Sequence, residues 1–197
     1  MQLLVATTNP GKVREYKALL SGLNVELVGL ADVGITTEVD ETGTTYAENA
    51  LLKARTYAKQ SRLLTLADDS GLEVDALNGR PGLHSARYAP DSPTRIRKLL
   101  AEMSDVPDDQ RSAHFQCVIA LAWPDGRAQT TSGTCEGWIA RAARGSNGFG
   151  FDPIFYMPEY NATLAELPED IKNTISHRAR ASQKMRPILE SLARDAA

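Results

Sequence analysis

Two segments concentrate the residues best suited to chemistry: Thr7-Thr8-Asn9-Pro10-Gly11-Lys12 and Asp68-Asp69-Ser70-Gly71. The first offers hydroxyls, an amide and an ammonium; the second offers adjacent carboxylates. Each follows a short apolar run, Leu3-Leu4-Val5-Ala6 or Leu63-Leu64-Thr65-Leu66-Ala67, that reads as a buried strand ended by turn residues. In open α/β sheets, ligand sites gather beyond the carboxyl ends of strands. One strand thus delivers an amide and a lysine, another delivers two carboxylates, and the combination suits a polyphosphate held with a metal ion.

Taken alone, Asn9 to Lys12 is a helix cap followed by a solvated lysine. A helix N-terminus nonetheless offers free N–H groups and a partial positive charge to phosphate. Gly11 removes side-chain bulk there and Lys12 adds a full charge. A Walker A loop is excluded, because Ala6 and Val13 stand where that motif needs Gly and Ser/Thr. Asp68-Asp69 could cap a turn, but neighbouring carboxylates repel and are better explained by a nearby cation. A few oxygen ligands, completed by phosphate oxygens, are what Mg²⁺ prefers. The run Glu38-Val39-Asp40-Glu41 is a solvated loop by composition, and its place before a helix leaves a second metal-ligand role open among its acids.

In Gly145-Ser146-Asn147-Gly148-Phe149-Gly150-Phe151-Asp152-Pro153, two phenylalanines alternate with glycines. Exposed aromatics gain nothing in water, whereas a planar base stacked on Phe149 or Phe151 would gain about 1–3 kcal/mol. Asp152 then accepts from the base or fixes the loop. Ser176-His177-Arg178 reads as a cap and first turn; with Lys172 it offers donors to a purine edge or a phosphate. Arg87, in His84-Ser85-Ala86-Arg87-Tyr88, is a weaker phosphate candidate. Cys117, Cys135 and His114 fall in strand-like segments and simply pack.

These groups need elements to position them. Asn9, Pro10 and Lys12 are N-cap, first and third residues of a helix with Val13, Tyr16 and Leu20 on one face. A strand covers Val25 to Leu30. Thr45-Tyr46-Ala47-Glu48 has capping-box form and opens a helix whose Ala50, Ala54 and Ala58 allow close packing on a sheet. Leu72 to Leu77 alternates as a separate short strand, and Pro93 to Met103 reads as a helix. Phe115–Trp123 and Ala128–Thr134 flank a Pro-Asp-Gly-Arg hairpin turn. Ser176 opens a C-terminal helix that Pro187 should kink or split. Crossovers mixed with a hairpin indicate an α/β fold with a mixed sheet.

Composition narrows the function. A net charge of −3 gives no global attraction to nucleic acid or to an anionic membrane, so an anionic substrate needs a locally basic pocket. No apolar run approaches the roughly 18 residues of a membrane span, and the first is too short for a signal peptide. The 2 cysteines make neither a disulfide framework nor a zinc signature with the 3 histidines. A reducing cytoplasm is the expected address.

Together the blocks resemble the inosine/xanthosine triphosphate pyrophosphatase family. The resemblance runs through Thr7–Lys12, Glu41–Ala50, Ala67–Leu72, Pro81-Gly82 with Ser85–Tyr88, Gly148–Pro153 and Ile175–Arg178, nearly the whole chain in order. It implies one family domain over residues 1–197. Within it, an elongated mixed β-sheet is flanked by helices, in two lobes around a substrate cleft, and the protein is a homodimer. The implied activity is Mg²⁺-dependent conversion of a deaminated purine nucleoside triphosphate (dITP, ITP or XTP) to monophosphate and pyrophosphate. Carried over residue by residue, Thr7, Thr8, Asn9, Pro10, Gly11 and Lys12 hold the triphosphate and Ser70 contacts substrate. Asp69 is the general base, and Glu41 with Asp69 binds metal. Phe149, Gly150, Phe151 and Asp152 line the base pocket with Lys172, His177 and Arg178. Donors there match the 6-oxo group of hypoxanthine or xanthine and mismatch the amino group of adenine, a distinction worth about 10⁴ where a buried group is left unpaired. A Maf-like pyrophosphatase for pyrimidine or modified nucleotides and a non-catalytic nucleotide-binding module are the rival readings.

Overall fold

A computed structural model describes residues 1–195. The elements in chain order are β1 (Gln2–Val5), α1 (Pro10–Leu19), β2 (Glu26–Gly29), α2 (Tyr46–Ser61), β3 (Leu64–Val74), α3 (Ser92–Glu102), β4 (Ser112–Ala122), β5 (Ala128–Ile139), β6 (Phe155–Met157), β7 (Ala162–Thr163), α4 (Glu169–Ile175) and α5 (His177–Asp195). Seven strands hydrogen-bond in the order β2-β1-β3-β4-β5-β6-β7. β1 is parallel to β2 and β3, with Leu3 opposite Leu27 and Leu64, while β5–β6 and β6–β7 are antiparallel. The sheet is therefore mixed and flanked by helices, as the element order predicted.

Local sequence explains the helix starts. The Asn9 side chain accepts from the N–H groups of Gly11 and Lys12, and Pro10 occupies the first helical position, where a missing N–H costs nothing. Thr45 and Glu48 exchange side-chain and backbone hydrogen bonds in a complete capping box. Asp91 caps α3, one residue earlier than its Pro93 start suggested.

Three expectations need correction. Asp68 and Asp69 do not end a strand, because β3 continues through them to Val74 and absorbs the segment read as a separate strand. Polar residues normally stop a buried strand, but here cationic side chains satisfy them, as described below. The hairpin strands are longer than their apolar cores, with β4 starting at Ser112 and β5 ending at Ile139. Finally, α5 runs unsplit with Pro187 inside it.

The chain divides into two compact units. Of the described residues, the first holds 1–69, 117–133 and 178–195; the second holds 70–116 and 134–177. The first unit's core alternates along its strands. Leu3, Val5, Leu66, Cys117, Ile119 and Leu121 pack with Tyr16 and Leu20 of α1 and with Ala181, Met185 and Leu189 of α5. The second unit's core gathers Leu72 and Val74 of β3, Leu99 and Met103 of α3, and Phe155 of β6. Each fully buried Leu, Ile, Met or Phe side chain among them contributes about 1.5–3 kcal/mol. Among the described residues, no helix is long and apolar enough to cross a membrane.

Candidate active site

Successive residues of a strand face opposite sides of the sheet, so Asp68 and Asp69 leave β3 in opposite directions. Their partners confirm it. Asp68 Oδ2 meets Lys12 Nζ of α1 at 2.9 Å and Nη2 of Arg178, in α5, at 3.1 Å. Asp69 Oδ2 accepts from Asn49 Nδ2 of α2 at 3.0 Å, and its Oδ1 lies 4.0 Å from Lys53 Nζ.

The Asp68 side is a closed charge network. Arg178 is fully buried and donates from Nη1 to Glu15 Oε2 at 2.6 Å as well as to Asp68. Glu15 and Lys12 lie three residues apart on α1 and so share a face. Burial alone raises the pKa of Asp68, but the charges of Lys12, Arg178 and Lys53 outweigh it and hold the carboxyl far below its ordinary value. Asp68 is thus an anion at neutral pH. The Cys117 thiol, 3.7 Å from Asp68 Oδ2, is pushed upward by burial and by that anion, so it remains a neutral thiol.

On the Asp69 side the balance reverses. Burial raises the Asp69 pKa; Lys53 and the Asn49 hydrogen bond lower it, nearby Glu41 raises it again, and the net direction is upward. A buried carboxylate with an elevated pKa is a stronger proton acceptor than an ordinary aspartate. Lys53 Nζ also contacts Glu41 Oε1 at 2.5 Å. Burial depresses the Lys53 pKa, but Asp69, Asp68 and Glu41 overcome this and raise it. Asn49 is further fixed by accepting from the N–H of Gly43 at 2.8 Å. A side chain at Gly43 would sit 2.7 Å from Asn49 Oδ1 and from Glu48 Cβ, so only glycine permits this approach.

At the start of α1, Thr7 Oγ1 accepts from the Asn9 N–H at 3.2 Å. Thr8 is exposed, with its hydroxyl 3.5 Å from Glu38 Oε1. Of the three acids in the 38–41 run, Glu41 alone is seen here against Lys53, with Glu38 and Asp40 exposed.

The second unit contains the remaining candidates. Asp152 Oδ2 accepts from Lys172 Nζ at 2.5 Å and from the Phe149 N–H at 2.8 Å, with Lys172 and Asp152 both buried. Lys172 Nζ stands 5.1 Å from the centre of the half-buried Phe149 ring. Phe151 is a core residue, edge-on to Tyr88 at 6.3 Å. The His177 ring stacks on Phe115 at 4.6 Å and 13°. Ser70 is half-buried at the start of the β3 segment in this unit. Gly148 takes a left-handed φ of +73°, and a Cβ there would fall 2.1 Å from Asp152 Oδ2. Gly150 likewise has positive φ.

Of the residues that sequence spacing proposed, Lys12 and Arg178 thus converge on Asp68, while Asp69 and Glu41 converge on Lys53. Phe149, Asp152 and Lys172 form a third cluster. Sequence reasoning missed Glu15, Asn49 and Lys53. Their signal was faint: polar residues on the buried faces of α1 and α2, with Asn49 and Lys53 one helical turn apart.

No group of three or more His, Cys, Asp and Glu forms a ready-made metal cage among the described residues. The fit to a cation rests on other features. An ammonium already stands against Glu41 and near Asp69, and the buried Oδ1 of Asp68 has no hydrogen-bond partner among the described residues. Two carboxylates in this state suit a hard cation that takes its other oxygens from phosphate and water.

Comparison with known proteins identifies relatives of this chain. The model of the Ham1 family matches residues 3–188. A Desulforamulus reducens protein named dITP/XTP pyrophosphatase is 49% identical over 98% of this chain and 97% of its own length. A Bacillus cereus protein of the same name is 49% identical over 93% of this chain and 92% of its length. The solved structure of a HAM1 protein from Coxiella burnetii superposes with a TM-score of 0.87 at 41% identity, covering 97% of this chain and 99% of that one. With a family match spanning nearly its whole length, this chain belongs to the Ham1 family.

Proposed function

We propose that the protein hydrolyses deaminated purine nucleoside triphosphates, dITP, ITP and XTP, to the nucleoside monophosphate and pyrophosphate. The observation that carries the reading is the division of labour at Asp68-Asp69, one carboxylate locked as an anion by Lys12 and Arg178, the other raised toward a base. Relatives named dITP/XTP pyrophosphatase at 49% identity support the substrate class.

The N-terminus of α1, with Thr7, Thr8, Asn9, Pro10, Gly11 and Lys12, holds the triphosphate through the partial positive charge of the helix end and the Lys12 ammonium. Lys12 is fixed in place by Asp68. Asp69 accepts a proton from the attacking water, and Asn49 orients its carboxylate. Glu41 and Asp69 hold Mg²⁺, which when bound offsets the charge of the triphosphate and of the leaving pyrophosphate. Ser70 contacts substrate. The base is read by Phe149, Gly150, Phe151, Asp152, Lys172 and His177. Lys172 is held by Asp152 as a donor for a 6-oxo group. Arg178 belongs to the same family block, and its guanidinium serves Asp68 and Glu15 in this structure.

The protein acts as a homodimer in the cytoplasm and as one functional domain, needing neither nucleic acid nor membrane. Hydrolysis of dITP in heavy-oxygen water tests the reaction. Label in the monophosphate is expected from attack at the α-phosphorus, and label in pyrophosphate or release of orthophosphate would contradict it.

A further inference from the structure

Lys53 stands on α2 one turn beyond Asn49, the residue that orients Asp69. Its Nζ lies 2.5 Å from Glu41 Oε1 and 4.0 Å from Asp69 Oδ1, and its side chain is only 14% exposed. One positive charge therefore already stands against the two carboxylates assigned to the metal and offsets half of their charge. A divalent cation entering here would meet that ammonium at close range, and like charges a few ångströms apart repel where solvent is largely excluded.

We propose that Lys53 is the resident counterion of the metal site: its ammonium occupies the cation position between Glu41 and Asp69 in the free protein, and a divalent cation entering there displaces it. This inference rests on the reading of Glu41 and Asp69 as metal ligands given above. It makes Lys53 a positioning residue with two effects. The acidic pair is held together without metal, so the free protein keeps its site formed. Metal affinity before nucleotide binds is lowered by the competition, so tight metal capture awaits the phosphate oxygens of the substrate. A lysine suits the role because its compact charge rides on a long flexible stem and can withdraw without moving the helix.

The test is Mn²⁺ binding to the full-length protein without nucleotide, read from the paramagnetic resonance of free Mn²⁺, with thermal melting alongside. Lys53→Gln is expected to bind Mn²⁺ about tenfold tighter than the parent protein. It should also melt lower without metal and gain more from added Mn²⁺. Lys53→Arg, which keeps the charge, should bind Mn²⁺ no tighter than the parent and guards against a folding defect in the first variant. Equal or weaker binding by Lys53→Gln, or tighter binding by Lys53→Arg, overturns the proposal. If the parent binds Mn²⁺, Glu41→Gln abolishes binding and Lys53→Gln leaves it unchanged, only the counterion role falls. If neither the parent nor Lys53→Gln binds Mn²⁺, the metal reading of Glu41 and Asp69 falls with it.

Discussion

Asp68 and Asp69 are neighbours in β3 that meet opposite electrostatic environments on opposite faces of the strand. Lys12 and Arg178 contact Asp68 directly, whereas Asp69 accepts from Asn49, with a lysine 4.0 Å away. The strand thus gives one carboxylate a structural charge and the other a chemical task.

For Asp69 the expected outcome of Asp69→Asn is a fall in kcat of about 10²–10⁴. Its raised pKa means that the ionised form costs stability in the fold. That cost is absent at low pH and grows as pH rises from the unfolded to the folded pKa. Removing the charge should therefore leave the melting temperature unchanged or higher at neutral pH. Steady-state kinetics with a parallel melt decides this, and a variant that is both inactive and strongly destabilised would contradict the assignment.

Asp68 behaves with the opposite sign. Its depressed pKa contributes stability that is fully present above the ordinary carboxylate pKa of about 4 and is lost as pH falls toward the folded value. Asp68→Asn strands Lys12 and Arg178 and should cost about 3–5 kcal/mol. Urea unfolding at neutral pH measures the loss. Repeated toward pH 2, it should show the two proteins converging.

Glu15 is expected to act through Arg178. Glu15→Gln keeps the shape but removes an anion beside a fully buried guanidinium, with a stability loss of about 1–3 kcal/mol. A double-mutant cycle with Arg178→Lys should reveal coupling, since Lys cannot bridge both carboxylates. Additive effects would place Glu15 outside the network.

At Gly148, alanine would meet both a left-handed backbone and the Asp152 carboxylate at 2.1 Å. Displacing Asp152 releases Lys172, so Gly148→Ala should raise KM for dITP more than it alters kcat. The backbone strain alone costs about 1–3 kcal/mol. A change confined to kcat would argue against a role for this cluster in binding the base.

Much of this was legible in the chain. The Asn9 cap and the Thr45–Glu48 capping box are local patterns whose hydrogen bonds span two or three residues, so they could be read directly. The course of β3 through Asp68-Asp69 could not, because acids inside a buried strand are tolerable only with cations that come from α1, α2 and α5. Arg178 reaches Asp68 across 110 residues and Glu15 across 163, separations that no local spacing reveals. Lys53 was hidden for another reason: on a charged helix, one inward lysine resembles its solvated neighbours until the fold shows what it faces. Phe151 carries the converse lesson, an aromatic of the glycine-rich loop that went mainly to the core.

The most direct test of the central claim is pyrophosphate release from dITP, XTP, dGTP, dATP and dTTP at equal concentration, with and without Mg²⁺. Metal-dependent turnover concentrated on dITP and XTP is the predicted result. Preferred turnover of dTTP, or binding of dITP without any release, would contradict it.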